Sequence, residues 1–380
     1  MAAVGCFLIG CDLFDPGRKQ LRWQQTGPSC PGTPAVGPDG TIYVGGSIDG
    51  VLTFDSTGTP GPALLAGQDC RKLVVASNTR LYVLQHTYDN LILLTALDPV
   101  GGEQAWQCIA GTCHGTHSQQ NLAAALAADG TVYVPACGSL VAVNPNGTIR
   151  WRFWTGAQFC YPPVIGPDGT VYAPLESCCV AIDSSGSERW RYQIPGKRPG
   201  PLAVGQDGVV YSCWFYQTVA AINPDGTERW RSELGVYPYG PVVVDEDGAL
   251  YFGNGSDTLY CLNSDGTVRW RRHQNPAPAG SCAIGPDGTV YFIGVTGGDG
   301  WPFESPVKYH VLAYSPDGNR LWAFSAKGCV LTDPCLGPAN TLIVSVFGGD
   351  LCAFAAPGSG RNHAWPMYQH DPAHTGQAGQ

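Results

Sequence analysis

From Thr33 to Trp322 short apolar runs alternate with polar turns, and the alternation has a fixed grammar. In the segment 162–192, Pro163-Val164-Ile165-Gly166 is an apolar run closed by Pro167-Asp168-Gly169, a tight turn whose glycine supplies positive φ. Thr170-Val171-Tyr172-Ala173 follows with β-branched and aromatic residues, then Cys179-Val180-Ala181-Ile182. Asp183–Ser187 turns the chain into Glu188-Arg189-Trp190-Arg191-Tyr192. The pattern predicts four antiparallel strands per unit, with little helix.

The same sentence returns at spacings of about 39 to 50 residues, in units starting near Thr33, Leu73, Leu122, Pro162, Pro201, Gly240, Ser281 and Leu331. Tyr133, Tyr172, Tyr211, Tyr251 and Tyr291 mark the second strand, and Trp151, Trp190, Trp230 and Trp270 the fourth. A unit of this size buries its apolar face only against copies of itself. The expectation is an all-β, eight-bladed β-propeller of four-stranded antiparallel blades, one domain over 1–380, with 1–32 and 354–380 as closure segments. The first unit has no closing Trp, because Phe54-Asp55-Ser56-Thr57-Gly58 runs almost directly into Pro60-Gly61-Pro62. Either Trp23 or Trp365 can supply the outer strand of the last blade, and the sequence leaves both open.

Composition narrows the function classes. With 51 Gly, 31 Pro and 2 Met the chain is turn-rich. A net charge of -9 and no Lys/Arg stripe argue against nucleic acid. No apolar stretch is long enough for a membrane span, and a monomer is expected. Leu8-Ile9-Gly10-Cys11 resembles a lipobox, yet the segment lacks a positive n-region, so 1–11 reads either as a signal or as an end strand. The location expected is extracytoplasmic, with the cytoplasm as the alternative. Sixteen cysteines fit either a disulfide-bearing exported protein or a set of small buried hydrophobes.

The unit resembles the pyrroloquinoline-quinone-like (PQQ-like) propeller repeat, whose tryptophan-docking pattern A-x-[DN]-x-x-[TG]-x-x-x-W is carried by Ala142–Trp151, Ala181–Trp190 and Ala221–Trp230, and with small changes by Cys261–Trp270 and Ala313–Trp322. The ending from Trp365 through His370 and His374 is similar to a segment that often flanks such propellers in bacterial exported proteins. The resemblance implies either a quinoprotein dehydrogenase, with PQQ and Ca²⁺ at the axis under a disulfide of adjacent cysteines, or a non-catalytic scaffold similar to the outer-membrane assembly lipoprotein. Cys178-Cys179 is the one adjacent pair; packing is the expected role, and the inserts that enclose PQQ are missing.

Function is expected where the copies differ, on the face bearing the second-to-third-strand loops and the connections between blades. Departures concentrate in Ile109–Asn121, Gly156–Tyr161, Cys213–Gln217, Gly235–Gly240 and Gly297–His310. Cys113, His114 and His117 form the most metal-like group, suited to zinc or copper, with Cys108 expected to face away in an outer strand. Cys30, Cys70, Cys160 and Cys329 fall near the rim of the central funnel. Trp214, Tyr216, Tyr237, Tyr239, Trp301 and Phe303 are the candidate ligand-binding rings of the adjoining fifth to seventh units, with Trp214, Tyr237 and Trp301 expected in solvent. The leading expectation is a non-enzymatic scaffold binding a protein or polysaccharide through the loop-rich face. A PQQ/Ca²⁺ oxidoreductase and a metal-binding protein are the alternatives.

Overall fold

In the fourth unit the strands fall at Val164–Ile165, Val171–Pro174, Cys179–Ile182 and Glu188–Tyr192, in that spatial order. The computed structural model describes residues 20–356 apart from 29–31, 71, 78–79, 88, 113–122, 160, 216, 236–237, 255–256, 297–307, 327–332, 338–339 and 347–349. These residues form eight small antiparallel sheets set around a ring, an eight-bladed β-propeller.

Blade two comprises Lys72–Ser77, Arg80–His86, Leu91–Leu97 and Gln104–Thr112, and blade three Ala125–Leu126, Val132–Ala136, Ser139–Val143 and Ile149–Trp154. Blade five comprises Pro199–Val204, Val210–Trp214, Thr218–Ile222 and Glu228–Glu233. Blade six runs through Pro238–Val244, Leu250–Asn254, Thr258–Leu262 and Val268–His273, and blade seven through Ala277–Ile284, Val290–Thr296, Lys308–Tyr314 and Arg320–Ala326. The second and third strands of blades four and five are buried at every residue, because each blade is covered on both sides by its neighbours. Their outer strands alternate between half-buried and exposed residues.

The ring is joined by one recurring contact. The outer-strand Trp packs on the second-strand Tyr of its own blade, as in Tyr172–Trp190 at 5.6 Å between ring centroids and Tyr251–Trp270 at 6.0 Å. Its indole N–H then donates to a turn carbonyl of the next blade: Trp106 to Pro145, Trp151 to Ser184, Trp190 to Pro224, Trp230 to Ser264 and Trp270 to Pro316, at 2.8–3.0 Å. The ring lies over a positive-φ glycine of that turn; a Cβ at Gly318 would sit 2.8 Å from Trp270 Cδ2. The pattern's glycine is therefore required twice, by φ and by the indole.

Closure uses the N-terminal side. Leu21–Thr26 pairs antiparallel with Asp350–Ala355 and is the outer strand of blade eight, beside Cys335–Gly337 and Thr341–Val346. Trp23 donates to Ser56 O at 3.2 Å in blade one, repeating the docking contact across the seam. Trp365 lies outside the described residues. Blade one has three strands, Ala35–Val36, Ile42–Gly45 and Val51–Phe54. In place of a fourth, isolated bridges join Phe54 to Pro60 and Val51 to Leu64. Leu64 takes the absent Trp's place: it is 3% exposed and stands 2.8 Å from where a Cβ on Gly102 of blade two would be.

Candidate functional site

The two ends of the propeller are built differently. At one end lie the Pro-Asp-Gly turns and the turns between third and fourth strands, and their carboxylates are used within the turns. Asp168 Oδ1 accepts from Thr170 N at 3.0 Å while Oδ2 accepts from Thr170 Oγ1 and Arg189 Nη1 at 2.8 and 2.7 Å. Asp39, Asp129 and Asp287 accept from the backbone N–H two residues on in the same way. The acid-rich turn Asp245-Glu246-Asp247 follows suit, with Asp245 accepting from Asp247 N, Ala249 N and Tyr251 Oη. These are hairpin devices, not converging calcium ligands.

The opposite end carries the loops between second and third strands and the connections between blades. Here Ile48 is 66%, Trp154 73% and Phe215 42% exposed. Trp154 ends the outer strand of blade three opposite Ser139 and lies over Gly138, whose added Cβ would meet its ring at 3.2 Å. Phe215 caps the turn after Trp214, its N–H donating to Arg198 O at 2.9 Å. Beside it Lys197 Nζ holds Glu233 at 2.8 Å, fixing the exit of blade four against the outer strand of blade five. The hydrogen bonds from Lys197 and Thr218 hold the Glu233 carboxyl below the usual range.

Trp214 contradicts its expected exposure. Its ring is 0% exposed and packs edge-on against Tyr192 of blade four at 5.7 Å. Strand alternation separates two faces, but in a propeller both faces of a blade are covered, so alternation could not put Trp214 in solvent. Phe215, one residue later in the turn, is the exposed ring. Tyr239 stands in the inner strand of blade six opposite Gly253; its ring, and Tyr216, Tyr237, Trp301 and Phe303, lie outside the described residues, as do Cys113, His114 and His117. Among the described residues no group of three or more His, Cys, Asp or Glu side chains is placed to hold a metal.

Sequence reasoning passed over Trp154, Ile48 and His86. Nothing marks Trp154 except a second Trp three residues after the docking Trp151. His86 ends the second strand of blade two on the loop side, with both ring nitrogens buried and without a hydrogen-bond partner among the described residues. Burial lowers its pKa, against the opposing charge of Asp69, so the imidazole is neutral at pH 7.

The cysteines are mostly packing groups. Among the described residues Cys70, Cys108, Cys178, Cys179, Cys213, Cys261, Cys282, Cys335 and Cys352 are buried thiols outside any disulfide, whereas Cys137 is disulfide-bonded. Burial pushes Cys70, helped by Asp69, and Cys261 up to about 12. Cys178 packs in the core between blades three and four and Cys179 in the core between blades four and five. The adjacent thiols thus point to opposite faces of blade four and form no disulfide lid. Near the axis a Cβ on Gly240 would lie 2.8 Å from Gly280 O, so blades six and seven approach there backbone to backbone.

Residues 12–158 and 216–363, together most of the chain, match the family model described as outer membrane protein assembly factor BamB. Among solved structures, BamB from Moraxella catarrhalis aligns with a TM-score of 0.56 at 17% identity, over 87% of this chain and 93% of that one. The computationally designed Ika8 protein aligns with a TM-score of 0.67 at 12% identity, over 88% and 99%. At these identities the likeness is one of fold. No curated protein matches the chain.

Proposed function

The chain belongs to the outer membrane protein assembly factor BamB family, a PQQ-like propeller family, and on that premise we propose that it is a non-enzymatic scaffold that docks a partner through its loop-rich face. The partner class is a protein or a polysaccharide, and the family's description favours a protein of outer-membrane protein assembly. That setting is extracytoplasmic, in keeping with the lipobox-like Leu8–Cys11.

One observation carries the reading. The turn end consists of repeated, internally bonded hairpins, whereas the loop end presents Trp154 and Phe215 to solvent on ordered backbone. Exposed aromatic rings held by a rigid scaffold supply contact area at low entropic cost and are frequent anchors of protein interfaces. The sequence's other candidate rings, Tyr216, Tyr237, Tyr239, Trp301 and Phe303, are proposed as further members of the same patch. Trp214 supports it from below, as a buried wedge between blades four and five.

The test is partner capture by Trp154→Ser and Phe215→Ser variants. The reading expects weaker capture, by about tenfold for the pair, with an unchanged thermal midpoint. Capture that survives both changes, or falls only in step with stability, refutes it.

A further inference from the structure

Trp154 rests on a hairpin turn that is covalently cross-linked. Cys137-Gly138 joins the second and third strands of blade three, where Ala136 pairs with Ser139, and Cys137 is half-buried and disulfide-bonded. The Trp154 ring lies over Gly138, and the connector leaving blade three starts there, with Thr155 N donating to Gly138 O at 2.9 Å. It then crosses to blade four, where Glu176 N donates to Gln158 O at 3.1 Å and Phe159 bridges Leu175. Arg191 of blade four holds it from the far side, its Nη1 donating to Thr155 O at 3.4 Å.

The other described cysteines lie outside any disulfide, so Cys137 is bonded to Cys6, Cys11, Cys30, Cys113, Cys160 or Cys329, all outside the described residues. Cys178, in the core between blades three and four, takes a hydrogen bond from Arg191 Nη1 at 3.9 Å and stays a thiol.

The repeat separates the six. Cys160 stands four residues before Val164, the inner-strand residue opposite Tyr172, as Cys70 stands four residues before Val74, opposite Tyr82. In the connector from blade one to blade two, Gly67 N donates to Ile48 O at 3.0 Å and Cys70 N to Gly46 O at 2.9 Å. Gly46 follows Tyr43 by three residues, as Ala136 follows Tyr133. The connector position that Cys160 occupies is thus the one that meets the residue before Cys137. Cys113 is the competitor, because Gly111 faces Ala136 from blade two, where an added Cβ would lie 2.8 Å from the Ala136 Cβ. That approach is to the strand, whereas the Thr155–Gly138 bond sets the outgoing connector against the turn itself.

We propose that Cys137 is bonded to Cys160, and that the bond is a redox-dependent staple for the connector 155–160 and the Trp154 ring at its start. Neighbouring backbone positions of this kind fall within the roughly 4.4–6.8 Å between Cα atoms that a disulfide spans. Both ends of the connector are then fixed to one turn, at Gly138 by a hydrogen bond and at Cys137 by the covalent link. In the reduced chain only the first remains. Forming the bond takes two protons and two electrons from the two thiols; an oxidising disulfide accepts them by exchange and leaves as a dithiol. Excess dithiol reverses the step. Such a bond persists in an oxidising compartment. The staple stands whether or not Trp154 meets a partner.

Peptide mapping of the native full chain reads the pairing, after alkylation and peptic digestion without reduction. The expected product links the peptides of Cys137 and Cys160; Cys137 linked to Cys113, or to any other cysteine, overturns the proposal. Hydrogen exchange reads the staple. Cys137→Ser with Cys160→Ser should speed exchange over 153–159 about tenfold, and leave 193–198, the connector from blade four to blade five, within about twofold. Wild type treated with dithiothreitol, with reduction confirmed by mass, should match the double variant, which separates loss of the bond from misfolding of the variant. Unchanged exchange over 153–159 after confirmed reduction, or equal acceleration of both connectors, overturns the staple.

Discussion

Trp270 and Gly318 should behave as one unit in stability measurements. Trp270 is 7% exposed, donates to Pro316 O at 2.8 Å, packs against Tyr251 and carries Arg272 over its ring at 5.7 Å. Trp270→Ala removes that burial, the N–H bond and the ring contacts, for about 3–5 kcal/mol. Gly318→Ala introduces a methyl 2.8 Å from Trp270 Cδ2 at a φ of 79°. The left-handed conformation costs about 1 kcal/mol, and displacing the indole about 1–3 more. When Trp270 is already Ala, the methyl has space and only the backbone part is left. The double-mutant cycle should then show a coupling of about 1–3 kcal/mol, the double variant being more stable than the sum of the singles requires. Urea unfolding followed by far-UV circular dichroism reads it from the midpoints, provided the slopes agree. Additivity within about 0.5 kcal/mol would refute the claim that the glycine is kept for the indole.

Three further outcomes follow from the packing. Leu64→Ala should loosen the seam between blades one and two by about 2–4 kcal/mol, measured by urea midpoint; a change under about 0.5 kcal/mol would show that Leu64 does not stand in for a docking Trp. Trp214→Ala should cost about 3–5 kcal/mol while Phe215→Ser stays within about 0.5, and a reversed order would contradict the burial of one ring and the exposure of the other. Because burial raises Cys70 and Cys261 to about 12, both are expected to escape iodoacetamide at pH 8 until urea is added. Mass-spectrometric detection of native labelling at denatured rates would count against their burial.

The repeat made most of the fold legible before any coordinate. The third and fourth strands expected at Cys179–Ile182 and Glu188–Tyr192 are found there, and the Tyr and Trp positions coincide with the docking contact. Two features were not legible. Leu64 looks like one apolar residue in a Gly/Pro-rich stretch, and its role needs the position of Gly102 in the next blade. Trp214 and Phe215 differ by one place in sequence, but the turn that exposes one and buries the other depends on Tyr192 of the preceding blade.

The scaffold reading is tested most directly by placing a photo-crosslinking amino acid at single positions in cells. The loop-face positions are Trp154 and Phe215; the turn-face positions are Thr57 and Asp225, both exposed and both engaged in their own hairpins. The account expects a discrete adduct from Trp154 or Phe215 and none from Thr57 or Asp225. Adducts confined to the turn face, or equal yields from both ends, would contradict it.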